Sequence, residues 1–150
     1  MIKILVAALP MLLASAPARA AEQLVTVPTA HSAKAALDKL EALAQARGLK
    51  IFARVDHAAG ARGVGATLRP TELLIMGNPK GGTPVLQCAQ TFGIDLPLRV
   101  LAWEDAGGMT WLGYKDLSTL GHTLRGDDCD AALKRQSGVL EGLVSEAAKP

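Results

Sequence analysis

The 150-residue chain is short of flat rings, with two Trp, two Phe and one Tyr. A carbohydrate- or base-stacking platform needs aromatic faces and finds little here. Cysteine is nearly absent. Cys88 and Cys129 form no C-x-x-C spacing, so thiol–disulfide catalysis has no local signature. No apolar run reaches the roughly 20 residues that a membrane-crossing helix requires. Internal repeats and low-complexity tracts are missing as well. There is little excess of one charge: 16 basic residues face 14 acidic ones. Lys3 and Arg19, both near the N-terminus, account for that difference, so the remainder is close to neutral. Such a balance argues against nucleic acid and anionic membranes as partners.

The first residues do carry a pattern. Met1-Ile2-Lys3 is followed by an apolar run from Ile4 to Ala16, broken only by Pro10 and Ser15. The run ends in Ala18-Arg19-Ala20, a small-x-small exit. A charged start, a short apolar core and small exit residues define a secretory signal peptide. Cleavage is expected after Ala20. Residues 21–150 then form one exported domain, periplasmic or secreted, with no stable membrane insertion once the signal is removed.

The rest reads as alternating elements. Gln23 to Val27 alternates as a short strand ending at Pro28. Ser32 caps a helix whose Ala33, Ala36, Leu37, Leu40, Leu43 and Ala44 share one face, and Gly48 stops it. Leu49, Ile51, Ala53 and Val55 form the buried face of a second strand. Ala58 to Gly65 reads as a short helical turn or loop. The unbroken apolar run Leu73 to Met76 predicts a strand covered on both faces. Asn78 to Pro84 is a dense turn signal, with Thr83 as N-cap and Pro84 at the first helical position of the next helix. Leu98 to Asp105 and Met109 to Lys115 form a hairpin around Ala106-Gly107-Gly108. A long helix opens at Asp127 or Asp128. Together these make an α+β domain: about five strands in a mixed or mostly antiparallel sheet, with helices packed on it.

Several short runs stand in order along this framework: Asp56-His57, Leu68-Arg69-Pro70-Thr71, Gly77-Asn78-Pro79, Gly82-Thr83, Asp95-Leu96-Pro97-Leu98 and Tyr114. With this order and spacing the chain resembles the domain of unknown function 302 family over about Leu40 to Leu117. The resemblance implies a compact α+β domain, often a homodimer, with no established activity. The cysteines and the C-terminal helix lie outside that pattern.

His57 heads the candidate site residues. It reads either as a general base or a metal or haem ligand, or as an imidazole capping backbone groups. Continuing the alternation of the second strand brings His57 to the Asn78 loop or the Gly82-Thr83 helix start, forming a polar pocket with Lys80 and Tyr114 as further candidates. His31 and His122 make no ligand spacing with it. Gly77 to Thr83 has the glycines, lysine and helix start of an anion site, or is simply a tight connection. It is not a P-loop, because Thr83 and Pro84 stand where Lys and Ser/Thr would be needed. Cys88 and Cys129 either pair in an oxidising compartment or serve as small core residues. Pairing closes about 40 residues and is worth roughly 3–4 kcal/mol. Trp103 and Trp111 cover a dimer face or a ligand cleft if both point outwards, and otherwise split between helix packing and edge shielding. The acidic cluster Asp127, Asp128 and Asp130 suits a helix start rather than a calcium loop.

The expected function is an exported small-ligand-binding or accessory module, acting as a homodimer, with no defined cofactor. Two alternatives stand beside it: an enzyme or metal/haem protein using His57, and a purely structural exported domain.

Overall fold

A computed structural model describes residues 24–119 and 127–150. The signal-peptide expectation, Gln23 and His122 lie outside these residues. The elements run β1 (Leu24–Thr29), α1 (Ala33–Ala46), β2 (Lys50–Asp56), α2 (His57–Gly63), β3 (Thr71–Gly77), α3 (Pro79–Cys88), a 3-10 turn (Gln90–Ile94), β4 (Leu98–Glu104), β5 (Thr110–Lys115) and α4 (Asp127–Ala148). The five strands form one antiparallel sheet in the order β1-β5-β4-β3-β2. The class is α+β.

Helix α1 begins where Ser32 accepts a hydrogen bond from the Ala35 amide, 3.2 Å away. It ends at Gly48, whose φ of +76° suits a residue without Cβ. Because β1 and β2 lie at opposite edges, α1 has to carry the chain across the whole sheet. Its 14 residues span about 21 Å, and the four gaps between five strands span about 19 Å. Ala36, Leu37, Leu40 and Ala44 are fully buried on the way. Helix α4 lies beside α1 and buries Leu133, Leu140, Leu143, Val144 and Ala147 in the same core.

All helix-packed strand residues lie on one face: Leu74 and Met76, Leu98, Val100 and Ala102, Leu112 and Tyr114. The run Leu73 to Met76 is therefore not buried twice. Leu73 and Ile75 face the other side and are half-buried. That open face also carries Leu101, Trp103 and Trp111, the two tryptophans standing opposite each other in the register. Both face outwards.

Two local departures from simple patterning matter. A bulge between Ile51 and Ala53 shifts the β2–β3 register. Beyond it, Ala53 and Val55 turn to the open face and Arg54 to the helix face. There the Arg54 guanidinium donates to Glu72 at 2.8 Å, to Asp38, and to the Lys34 carbonyl at 3.1 Å. Lys34 and Arg54 together hold the Asp38 carboxyl below its usual range. The second departure is α3, which starts at Asn78 rather than Thr83. The Asn78 side chain accepts from the Lys80 amide at 2.9 Å, and Pro79 takes the first helical position. Gly81 and Gly82 are thus helical, and Pro84 lies inside the helix.

Helix α4 is fixed at both ends. Near its start, Cys129 is bonded to Cys88 at the end of α3, with Cα atoms 5.8 Å apart. At its finish, Thr29 Oγ1 donates to the Ala148 carbonyl at 3.0 Å. Lys39 and His31 Nε2 donate to the Lys149 carbonyl at 2.6 and 2.8 Å. Donors at a helix C-terminus satisfy carbonyls that the helix itself leaves unpaired.

With the cysteines bonded, denatured, unreduced protein should contain no titratable thiol, and reduction should expose both. The crosslink closes 41 residues, so reduction should lower stability by about 4 kcal/mol in the chain-entropy account. Two thiols titrating before reduction would refute the pairing.

Candidate functional site

The antiparallel register separates the residues that sequence reasoning brought together. Asp56 pairs with Glu72 and Lys50 pairs with Gly77. His57 and Asn78 therefore lie at opposite ends of the β2–β3 pair, about 20 Å apart at the usual rise per residue. The expected His57–Asn78 pocket is not formed. His57 is the exposed first residue of α2, and Asp56 caps that helix by accepting from the Ala59 amide at 2.7 Å. No cluster of three or more metal-ligating side chains occurs among the described residues. Lys80 is exposed and lines no cavity described here. The anion-loop reading fails for a different reason: Gly77 ends β3, Gly81 and Gly82 are inside α3, and the Lys80, Gly81 and Gly82 amides are all bonded to Asn78.

Asn78, Gly82 and Thr83 do come together. They line a cleft of about 310 Å³ between α3, the 3-10 turn and the end of β3. Its walls are apolar: Phe52 from the bulge, Leu86, Leu96 and Pro97. Asn78 is held by its own bonds, with Nδ2 donating to the Gly48 carbonyl at 3.0 Å. Gly77 must be small here, since a Cβ would meet Pro97 at 3.3 Å and Phe52 at 3.4 Å.

One further polar group lines the cleft. Gln136 of α4 is only 8% exposed. Its carboxamide makes no hydrogen bond to the described residues. It packs so tightly on α3 that a Cβ at Gly81 would collide with Nε2. A carboxamide offers two donors and one acceptor; among the described residues no side-chain N or O is both buried and without a partner, so the Gln136 amide reaches the open space of the cleft. Sequence reading passed over Gln136, although it interrupts the apolar stripe of Leu133 and Leu140.

Tyr114 is far from this cleft. It points from β5 into the helix-covered core and lies beside Asp116, Ser137 and Glu141. Burial, then the Glu141 and Asp116 carboxylates, push its hydroxyl above the ordinary value. Ser137 Oγ donates to Asp116 Oδ1 at 2.7 Å, and the Ser118 amide donates to the same oxygen at 2.9 Å. These bonds, Ser137 first, hold the Asp116 carboxyl below its ordinary value despite partial burial. They tie α4 to the end of β5.

The profile of the domain of unknown function DUF302 matches residues 25–143. A crystal structure of an uncharacterized conserved DUF302 protein from Bacillus stearothermophilus superposes with a TM-score of 0.66 at 19% identity, covering 83% of this chain and 94% of that one. That likeness establishes the fold alone. Two curated relatives are 46% identical over 113 residues, 74% of this chain: fluoride-specific ion channel FluC 1 of Brucella suis biovar 1 (strain 1330), 44% of its length, and FluC 2 of Brucella melitensis biotype 1 (strain ATCC 23456 / CCUG 17765 / NCTC 10094 / 16M), 42% of its length. The chain thus spans less than half of these relatives. No described helix is long and apolar enough to cross a membrane.

The Asp116–Ser137 bond sets a pH dependence. The lowered carboxyl contributes stability that is fully present above the unfolded value of about 3.9 and is lost as pH falls through the lower folded value. Ser137→Ala should cost about 1 kcal/mol at neutral pH. That cost should shrink in acid and vanish below both values. An equal cost in chemical denaturation at both extremes would mean that packing, not the carboxylate, is responsible.

Proposed function

The chain belongs to the DUF302 family of domains of unknown function, and on that premise we propose an exported binding module whose ligand occupies the Gln136 cleft. The Gln136 carboxamide, open to the cleft and without a hydrogen bond to the described residues, carries this reading. Ligand pockets are concave and mostly apolar, with a few placed polar groups that fix orientation. The cleft has that make-up. Its ligand is a small, largely apolar molecule with one oxygen or nitrogen to pair with the carboxamide. The Cys88–Cys129 bond supports export, since disulfides persist in oxidising compartments. His57 contributes nothing to this cleft, so neither a general base nor a metal centre enters the reading.

An accessory role is supported by the relatives. A channel needs membrane-crossing segments, and the domain has none among its described helices. In the chains named fluoride-specific channels, the spanning part then belongs to the length this chain does not match. We read the DUF302 part as accessory to the channel part in those relatives, and the present domain as a module of the same kind.

The expected homodimer fits the open sheet face around Trp103, Trp111 and Val55, at the hairpin end. Val55 is 38% exposed although apolar.

Titration with an apolar fluorescent dye, 1-anilinonaphthalene-8-sulfonate, tests the cleft. Gly81→Ala should push the Gln136 carboxamide aside, and Gly82→Trp should fill the space; both should weaken dye binding while the circular dichroism stays native. Undiminished binding in both variants would remove the cleft from consideration. For the dimer, sedimentation equilibrium should give twice the monomer mass, and Trp103→Lys should return the monomer. A monomer throughout the micromolar range would sink that part.

A further inference from the structure

Tyr114 carries a polar group that the helix-covered core does not use. The residue is only 6% exposed. Its hydroxyl makes no hydrogen bond to the described residues, none of whose side-chain N or O atoms is both buried and without a partner. The hydroxyl therefore opens onto free space. That space is a pocket of about 230 Å³ between the end of β5 and α4, lined by Asp116, Ser118, Lys134, Gly138 and Glu141. The carboxylates that act on the hydroxyl, Glu141 and Asp116, are both walls of this pocket. It lies apart from the Gln136 cleft, with which it shares no lining residue.

The fold leaves acceptors free in this pocket. Asp116 takes the Ser137 hydroxyl and the Ser118 amide on Oδ1, and the Ser118 hydroxyl bonds it as well. A carboxylate has about four lone-pair sites, so room to accept remains. Glu141 is exposed and makes no hydrogen bond or ion pair to the described residues. Lys134, also exposed, pairs with neither carboxylate. Set against the two carboxylates, its single positive charge leaves the pocket with a negative excess. Gly138 keeps the space open. It stands in the middle of α4, where glycine is a poor helix former, and a Cβ there would meet no atom within 4 Å. Gly142 of the same helix has a neighbour to answer to, since a Cβ would stand 3.2 Å from Arg47 Nη1. Gly138 has none; what its missing side chain leaves is the pocket.

We propose that this pocket binds a small primary ammonium compound, whose N–H groups are received by the Tyr114 hydroxyl oxygen and the Asp116 and Glu141 carboxylates. A primary ammonium has three donors and no acceptor, and the pocket presents three acceptors on its walls. Burial, then the two carboxylates, keep the phenol protonated, so Tyr114 adds no charge. A single positive charge then balances the excess. A calcium ion fits less well, because it demands about six to eight oxygen ligands and would face both Lys134 and a protonated phenol. A carboxylate would meet two carboxylates against one lysine.

Butylammonium is the probe, with binding read from the amide chemical shifts of Ser118, Gly138 and Glu141 in a magnetic resonance titration. It should bind the intact chain, and tetramethylammonium, with the same charge and no N–H, should bind about tenfold more weakly. Tyr114→Phe should cost a similar factor and leave the thermal midpoint unchanged, since the hydroxyl has no partner in the fold. Glu141→Gln should act alike, and it carries the test should Tyr114→Phe fail to fold. Gly138→Leu, which fills the pocket and suits a helix, should abolish binding. Lys134→Met should tighten it by removing a like charge. Gly82→Trp, in the other cleft, should change nothing. The proposal is overturned by an intact chain that does not bind butylammonium, by equal binding of tetramethylammonium, or by binding that survives Glu141→Gln and Gly138→Leu. It is equally overturned if calcium displaces butylammonium at equal concentration, which would mean a metal site, or if Lys134→Met weakens binding, which would mean a zwitterion. None of these results touches the reading of the Gln136 cleft.

Discussion

Everything in this domain follows from the need to join two strands at opposite edges of one sheet. The β1–α1–β2 connection crosses all five strands, and α1 has very nearly the length of that crossing. A helix laid across a sheet must bury its apolar stripe against it, and Ala36, Leu37, Leu40 and Ala44 supply that stripe. Once α1 takes one face, α4 packs beside it on the same face. No other element among those described lies on the reverse side. Hence the one-sided core, and hence an outer face whose apolar residues remain half-exposed.

Helix α4 is the shared wall of two cavities. Gln136 and Leu140 sit one turn apart on the same side of the helix, as residues spaced by four must. Gln136 ends in the cleft and Leu140 lines a second cavity, of about 220 Å³, at the unpaired ends of β4 and β5, while Ser137 between them holds Asp116. A helix that lines two cavities needs its position fixed independently of either. The disulfide at its first turn and the three donors at its last carbonyls do this. Most of that fixation is insensitive to what fills the cavities.

The fold was largely legible in the sequence, because its main elements are stated by strong local signals. Ser32 and Gly48 bracket α1 in the expected way, the alternation of β4 and β5 flanks an obvious turn, and the ordered motifs point to the family. The candidate site was legible only in part. Asn78, Gly82 and Thr83 do meet in a cleft, but His57 was assigned to it by continuing an alternation that the Phe52 bulge interrupts. A bulge leaves no mark that periodicity alone detects. The antiparallel register then carried His57 to the far end of the strand. The α3 boundary was misplaced because Gly81 and Gly82 look like a loop. Gly81 is there for contact with Gln136, a tertiary reason. Tyr114 was expected in the same pocket, although its alternation with Leu112 already sends it into the core.

The place of β1 in the sheet bears on the order in which the chain assembles. Strands β2, β3 and β4 each pair with the next strand along the chain, so each step joins neighbours in sequence. Strand β1 pairs instead with β5, joining Leu24 to Lys115, and nothing can receive it until the rest of the sheet exists. Contacts between such distant residues slow folding, because chain entropy is lost before they form. The same strand supplies Thr29 to the end of α4, so the first and last elements dock as one late unit. Late-docking edge elements are also where local opening costs least. Leu24 also lines a cavity of about 220 Å³ at the unpaired ends of β4 and β5. The strand that completes the sheet therefore also completes the wall of that cavity.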